Sequence, residues 1–543
     1  MKCFLLAVVL LACGSIGSIA TKAQSCVTPE DVKQMVARVE SGTPAKYDKK
    51  VNEELLKMAE KHRELLQQIV AEDQKSKSHQ DKLRKLNEKH TAKFCEILKT
   101  HGWPSTALAG HTGVLAAFHT LKNSATYELQ RDLVPVILAV IKKDATQKPE
   151  FAGLFDRLRV SAGMKQFFGT QAVSIGGFLV LYPLEDESKV NAWRQEFGLS
   201  TMQENIRNLE RTYGKPLIKS RQPPASKLSK QLTDSITKAL DDAEFSEGSY
   251  VDPGDVIKVD TNLVSLNVSV FNSKSKTFVG SLTKDDFRVV EDGQEQTVTY
   301  FASTDVPFDL VLLVDLSGST SEKRDLIKKS TLRFIEAARP DDRLAIVTFS
   351  DRTNVISPLT LDREELKASV ANMNGMGGSH VWDAVKFTLD NIIGPKTLER
   401  RRAVVLMSDG VDGALARFGT NRGSRTTFAD LLEQVRQSDT LIVPIYLDTE
   451  YSMGGGFASD EYENARRTLN LLALESGGSY YKAKKIDDLN GVYEQVINDL
   501  GKVYSLGYKP TNPARDNTWR NVQISIVNRE DLVTRARPGY YAQ

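Results

Sequence analysis

The hydrophobic period of this 543-residue chain changes three times along its length, and each change marks where one kind of secondary structure must give way to another. From Thr28 to Glu210, stretches such as NEELLKMAEKHRELLQQIVAEDQ carry apolar residues at three- and four-residue intervals, which predicts an all-helical domain over 28–214. Residues 215–252 mix Pro, Ser, Lys and acids around one short helical candidate near 232–240, and read as a linker. The period becomes two in IKVDTNLVSLNVSVFN and in FRVVEDGQEQTVTYF, which is two strands about an Asp292-Gly293 turn, so 253–305 is a β-strand segment. Over 306–502 the β-branched runs DLVLLVD, RLAIVTFS, RAVVLMSD and TLIVPIYL alternate with helical segments near 322–338, 363–372, 382–393 and 428–438. That alternation predicts an α/β domain, a doubly wound parallel sheet covered on both faces. The period of two returns over 503–543 in VYSLGYKP, WRNVQISIVN and LVTRARPGYYA. Strands on both sides of an α/β domain imply that the flanks pair into one β-sandwich with that domain inserted between them.

The amino terminus, MKCFLLAVVLLACGSIGSIATKAQS, has one Lys, an apolar run from Cys3 to Ala12 and then small residues, the build of a secretory signal over 1–23. The run is too short to span a bilayer, and no later stretch reaches the ~20 apolar residues that a transmembrane helix needs. The expectation is an exported protein of the periplasm, cell envelope or exterior, with no transmembrane span. Leu10-Leu11-Ala12-Cys13 has the form of a lipoprotein cleavage box with Cys13 as the lipid-bearing residue. Ser18-Ile19-Ala20 and Thr21-Lys22-Ala23 have the form of ordinary cleavage sites, so a lipid anchor and free secretion both stay open. With Cys3 and Cys13 in the signal, Cys26 and Cys95 remain. They form one disulfide in an oxidising compartment, or leave Cys95 packed as a small hydrophobe; neither has zinc-site spacing.

Lys plus Arg total 72 and Asp plus Glu 70, a formal net charge of +2 that gives no ground for a nucleic-acid partner. Six of the seven histidines (62, 79, 90, 101, 111 and 119) fall in the helical domain. No two of them stand three or four residues apart on one helical face, which reads as solvated or capping histidines.

An open α/β sheet places its ligand crevice beyond the carboxyl ends of its strands, and oxygen donors collect there. VLLV runs into Asp315-Leu316-Ser317-Gly318-Ser319, Gly377-Gly378 delivers Ser379, and AVVLM ends in Ser408-Asp409-Gly410. Asp315, Ser317, Ser319, Ser379 and Asp409 form a candidate metal site for a hard divalent cation, Mg²⁺ before Mn²⁺ or Ca²⁺. The same residue types also serve as ordinary strand-to-helix caps. Asp383 and Asp412 read as a helix residue and a loop residue rather than ligands, and His380 as a rim or merely exposed residue.

DLSGS, GGSHVWDAV and MSDG resemble, in order and spacing, the metal-ion-dependent adhesion site of von Willebrand factor type A domains, which have a Rossmann-like fold. The resemblance implies that Ser317, Ser319 and Ser379 touch the metal while Asp315 and Asp409 act directly or through bound water. So few carboxylates leave the cation under-neutralised, so the implied partner is a protein that offers Asp or Glu to it. Where that family usually has Thr, this chain has Ser379, which keeps the hydroxyl and loses the β-branch that stiffens χ1. FRVVEDGQEQTVTYF and YSLGYKP…WRNVQISIV…RARPGYY resemble the flanks of a secreted von Willebrand type A-related family described from Acidobacteria.

His101-Gly102-Trp103-Pro104, Asp156-Arg157 and the stretch GMKQFFGTQ at 163–171 resemble the signatures of an uncharacterised bacterial helical family, over roughly 65–212. Asp156, Arg157, Gln166 and Gln171 either bind a ligand or form a buried network in which Arg157 pairs with Asp156 or a neighbour. The chain has no Gly-x-Ser-x-Gly elbow, His-Glu-x-x-His pair or Gly-x-x-x-x-Gly-Lys loop, so catalysis is not expected. The expected function is that of a secreted or envelope-associated binding or adhesion protein. The alternatives are a metal-free scaffold and an enzyme that uses the helical domain.

Overall fold

The computed structural model describes residues 9–10, 25–42, 46–71, 77–226, 228–241, 263–393, 400–415, 423–449, 459–483 and 488–542. The chain divides into two compact units, 1–205 with 219–253, and 206–218 with 254–543. Apart from the two-residue strand Val9–Leu10, the leader expected over 1–23, Cys13 included, lies outside the described residues.

The first unit is built from the helices Pro29–Ser41, Lys49–Ala71, Lys77–His101, Thr106–Lys122, Tyr127–Asp132, Val134–Lys143 and Lys148–Ser161. Their apolar faces meet in one core that includes Leu55, Phe94, Leu98, Phe118, Leu121, Ile137, Phe151 and Phe155. The first of these helices starts at a reciprocal cap, in which Asp31 N–H donates to Thr28 Oγ1 at 3.1 Å and the Asp31 carboxylate accepts Thr28 N–H at 2.8 Å. Trp103 is a packing residue, edge-on to Phe118 with its Nε1 donating to Gln147 Oε1 at 3.0 Å. Cys26 and Cys95 are joined in a disulfide that ties the start of the unit to helix Lys77–His101.

Three features of this unit differ from the sequence reading. A short antiparallel hairpin, Ala172–Ile175 with Phe178–Leu181, adds strands to a domain expected to be all-helical; Gly176 and Gly177, both at positive φ, make its turn. Within the span expected as a linker, helix Lys230–Asp241 buries Ile236 and Leu240 in the same core as Phe155, because its apolar residues repeat at helical spacing. His62 and His90 are buried rather than solvated, and His62 meets His119 of another helix at 3.1 Å, a contact to which spacing along one helix is blind; His111 is exposed as expected.

The second unit contains a six-stranded sheet in the order Thr353–Thr360, Arg343–Phe349, Phe308–Asp315, Arg401–Ser408, Leu441–Leu447, Tyr481–Ala483. All neighbours run parallel except Thr353–Thr360, which returns antiparallel because only three residues separate it from its partner, too few for a crossover. Every residue of Phe308–Asp315 is buried, as a central strand covered on both faces requires. The expected helices appear as Arg324–Ala337, Arg363–Ser369, Val381–Asn391 and Phe428–Gln437, and two more follow at Ser459–Ser476 and Leu489–Leu500.

The flanking strands form two further four-stranded sheets, and each sheet draws strands from both flanks. In one, Val503–Tyr508 lies between Val264–Asn272 and Val298–Ala302, antiparallel to both. In the other, Trp519–Ile526 pairs with Phe287–Glu291. Leu266, Val268, Val270, Val289, Tyr504 and Leu506 fill the space between the sheets, so the α/β domain is an insertion in a β-sandwich. Among the described residues no helix is long and apolar enough to cross a membrane.

Candidate functional site

The central strand Phe308–Asp315 has the next strand in sequence on one side and the later strand Arg401–Ser408 on the other. The connections leaving these two neighbours therefore diverge at their carboxyl ends and open a crevice there. An acid stands at each lip: Asp315 ends one strand and Asp409 follows the other, with 0% and 1% of their surfaces exposed.

Asp315 organises the crevice. Its Oδ1 accepts the backbone N–H of Ser317 at 2.9 Å, and its Oδ2 accepts the hydroxyls of Ser408 at 2.6 Å and Ser379 at 3.1 Å. Ser317 and Ser319 stand on the loop that leads into helix Arg324–Ala337, their Oγ atoms 3.2 Å apart. Ser379 arrives on the loop before helix Val381–Asn391. That loop needs its glycines. Gly377 has φ 101°, a Cβ there would overlap the Asp351 carboxylate, and Gly378 N–H donates to the same carboxylate. The carbonyl of Gly377 also accepts Gly318 N–H at 3.0 Å, which locks the two serine loops together.

Asp409 is held from the other side. Its Oδ2 accepts the Thr449 hydroxyl at 2.9 Å, Thr449 lies 3.1 Å from the Tyr462 hydroxyl, and Oδ1 accepts Val411 N–H at 3.2 Å. Asp315, Ser317, Ser319 and Ser379 thus stand in one hydrogen-bonded cluster, and Asp409 follows the end of the strand paired beside Phe308–Asp315. Asp409 acts on that cluster through its charge: burial first, and then the negative charge of Asp409, push the Asp315 carboxyl up to about 6. Among the described residues no basic side chain bonds to Asp315. Ser319 and Ser379 are half-buried, so the hydroxyl side of the crevice meets solvent.

Asp412 and Asp383 stand beside this cluster as braces. Asp412 accepts Trp382 N–H at 3.1 Å, Ala414 N–H at 2.9 Å and both donors of Ser424. Asp383 accepts the N–H groups of Arg425 and Thr426 at 2.9 Å each, and His380 Nδ1 lies 3.7 Å from it. Sequence reading missed Ser408, Thr449 and Tyr462 as members of the site, and also Thr320, whose hydroxyl donates to the carbonyls of Asp315 at 3.2 Å and Ser317 at 3.0 Å. Thr449 could have been found, since it follows strand Leu441–Leu447 at the same carboxyl edge; Tyr462, on a helix remote in sequence, left no local signal.

Among the described residues no three or more His, Cys, Asp or Glu side chains gather as a metal-holding group, so a cation here depends on hydroxyl oxygens as well as the two acids. The donor set fits that demand. Two carboxylates buried together repel each other unless a cation lies between them or one takes a proton, and three hydroxyls on the open side supply further hard oxygens.

In the helical unit, Asp156, Gln166 and Gln171 prove to be a structural knot. Asp156 accepts the N–H groups of Phe167, Phe168 and Thr170 and the Thr170 hydroxyl, at 2.7 to 3.1 Å. Gln166 Oε1 accepts Gln171 N–H at 2.8 Å, and its Nε2 donates to Tyr182 O at 2.6 Å. Arg157 does not pair with Asp156.

Residues 309–495 match the von Willebrand factor type A domain family, and residues 49–218 match a family of unknown function, DUF6624. Both matches stop short of the sandwich strands. Among solved structures, the chain is similar to the conserved hypothetical protein BatB from Bacteroides thetaiotaomicron, at 12% identity and TM-score 0.28, over 36% of this chain and 99% of that one. It is also similar to proximal thread matrix protein 1 from the mussel byssus, solved with a zinc-occupied MIDAS motif, at 18% identity and TM-score 0.28, over 36% of this chain and 48% of that one. A third similar structure is the vWF domain of the type V pili tip protein Mfa5 from Porphyromonas gingivalis, at 15% identity and TM-score 0.26, over 36% of this chain and 94% of that one.

Proposed function

Residues 309–495 being a von Willebrand factor type A domain, we propose that Asp315, Ser317, Ser319, Ser379 and Asp409 hold a divalent cation, Mg²⁺ before Mn²⁺ or Ca²⁺, with which the protein captures an acidic side chain of a protein partner. The observation that carries this reading is the pair of buried carboxylates at neighbouring strand ends, with hydroxyls and, among the described residues, no basic side chain bonded to Asp315. The serine hydroxyls are the direct ligands, and Asp315 and Asp409 act directly or through water. A bound dication supplies positive charge that two carboxylates and neutral hydroxyls leave partly uncompensated, which favours an Asp or Glu from outside. The protein's own residues keep that face accessible: Ser319 and Ser379 are half-buried, and Met376, 78% exposed on the Ser379 loop, offers an apolar contact beside it.

The role is binding or adhesion at the cell envelope or outside it, without catalysis. The Cys26–Cys95 disulfide supports an oxidising compartment, as an exported chain, lipid-anchored at Cys13 or free, would meet. A metal-free scaffold is the second reading. It is favoured by one observation, that Ser379 and Ser408 already satisfy Asp315 Oδ2 between them.

Metal titration separates the two. In chelator-treated full-length protein, Mg²⁺ or Mn²⁺ should raise the melting temperature of the wild type and leave Asp315→Ala and Ser379→Ala unmoved. Equal responses in all three would favour the scaffold. Partner capture from envelope extract should disappear with chelator and return with Mg²⁺.

A further inference from the structure

The helical unit holds a second cluster of titratable side chains that the α/β crevice does not use. His62 on helix Lys49–Ala71 and His119 on helix Thr106–Lys122 face each other, His119 Nε2 lying 3.1 Å from His62 Nδ1 with the rings edge to face. His62 is 3% exposed and His90, from helix Lys77–His101, 9% exposed beside it. Arg157, on helix Lys148–Ser161, lies close enough for its charge to act on His62, and its guanidinium carbon is 6.0 Å from the Tyr127 ring.

Arg157 is the informative member. Its Nε is sealed from solvent without a hydrogen-bond partner, and the guanidinium bonds to no acid among the described residues. The adjacent Asp156 cannot serve it, because its oxygens are taken by the 167–170 loop. The remaining charges that face the histidines are also positive: Arg63 and Lys122 act on His119, and Lys61 and Lys89 on His90. Among the described residues Lys122 has an acid of its own, Glu150 at 2.7 Å. A guanidinium whose Nε is sealed from water with neither a hydrogen bond nor a counter-charge is costly, and its planar fork of donors matches an oxyanion better than any other ligand.

We infer that Arg157, His62 and His119, with Tyr127 as a flanking ring, form a binding site for the oxyanion of a small ligand, a carboxylate or a phosphate. A metal is disfavoured by the neighbouring guanidinium and by the mutual hydrogen bond of the two imidazoles, which occupies a nitrogen of each. Desolvation supports the same conclusion: burial first, and then the surrounding positive charge, hold His62 down to about 4 and His119 down to about 3, so the rings are neutral, and the charge of an arriving anion would favour their taking up protons from solvent.

Calorimetric titration of the full-length protein at pH 6 with inorganic phosphate and with succinate, against chloride at equal ionic strength, tests the site and separates the two ligand sources. Saturable binding of either anion is expected, weakened at least tenfold in Arg157→Met and less in His119→Gln. No saturable binding of either, or equal binding by Arg157→Met, overturns the inference. So does a Zn²⁺-induced rise in melting temperature that His62→Asn abolishes while neither anion has any effect. Should Arg157→Met fold poorly by circular dichroism, ring-proton titrations of the wild type decide alone. The bound anion should raise the midpoints of His62 and His119 by a unit or more, and unmoved midpoints overturn the site.

Discussion

The crevice of the α/β domain and the histidine cluster of the helical unit are the same electrostatic device with opposite sign. In one, two buried carboxylates stand at neighbouring strand ends, and burial drives Asp315 up to about 6. In the other, two imidazoles and a guanidinium stand near one another, and burial drives His62 down to about 4 and His119 to about 3. Each holds a concentration of one kind of ionisable group that packing alone does not require, and each is relieved by an ion of the other sign. The comparison teaches that a candidate site can be recognised by the charge it lacks as well as by the residues it has.

The largest expected effect breaks the comparison at its base. Every described cysteine lies in the helical unit, where the disulfide closes a separation of 69 residues. Reduction, or Cys95→Ser, should cost that unit about 4 kcal/mol by the chain-entropy estimate and leave the α/β domain untouched. Hydrogen exchange resolved by unit measures this, and equal loss of protection in both would show that the disulfide does more than restrain its own loop.

Next in size is the response to metal. At one hundred times its dissociation constant, Mg²⁺ should stabilise the α/β domain by about 2.7 kcal/mol. Asp315→Asn should abolish that gain while making the metal-free protein more stable at pH 7, since it removes one of two repelling buried charges. A destabilised metal-free Asp315→Asn would mean that the hydrogen bonds from Ser379 and Ser408 matter more than the repulsion.

Acid should move the two sites in opposite directions. A histidine held below its unfolded value of about 6.5 adds stability that is full above that pH and is lost as pH falls through about 4. Asp315, held above its unfolded value, adds stability that is full below about 3.9 and is lost as pH rises through about 6. Lowering pH from 7 to 5 without metal should therefore weaken the helical unit, by about 2 kcal/mol for each of His62 and His119, and strengthen the α/β domain by about 1 kcal/mol. Unit-resolved exchange at the two pH values checks the signs, and movement in the same direction would remove the contrast.

The two sites also differ in how far the sequence disclosed them. The α/β site was legible because its donors sit at strand ends, and an apolar run that stops at Asp315 or Ser408 announces both the strand and the crevice beyond it. The sandwich was legible from the returning period of two. The histidine cluster was not, because His62, His90 and His119 belong to three helices and their proximity is decided by helix packing, which leaves no mark on spacing along any one of them. For the same reason helix Lys230–Asp241 could be read as a helix but not as part of the core.

The smallest expected effect is the sharpest test of the α/β site. Ser379 places its hydroxyl 3.1 Å from Asp315 Oδ2 on a loop that glycines make pliable, and an unbranched side chain leaves χ1 free to turn away. Ser379→Thr keeps the oxygen and restricts the rotamer, and because the residue is half-buried the added methyl can turn towards solvent. Metal affinity should rise a few-fold, which is below about 1 kcal/mol, while anion binding in the helical unit stays constant. Mn²⁺ titration calorimetry can resolve a change of that size. Weaker binding would mean that the crevice is tuned to the smaller side chain, and an unchanged constant would mean that Ser379 does not touch the metal at all.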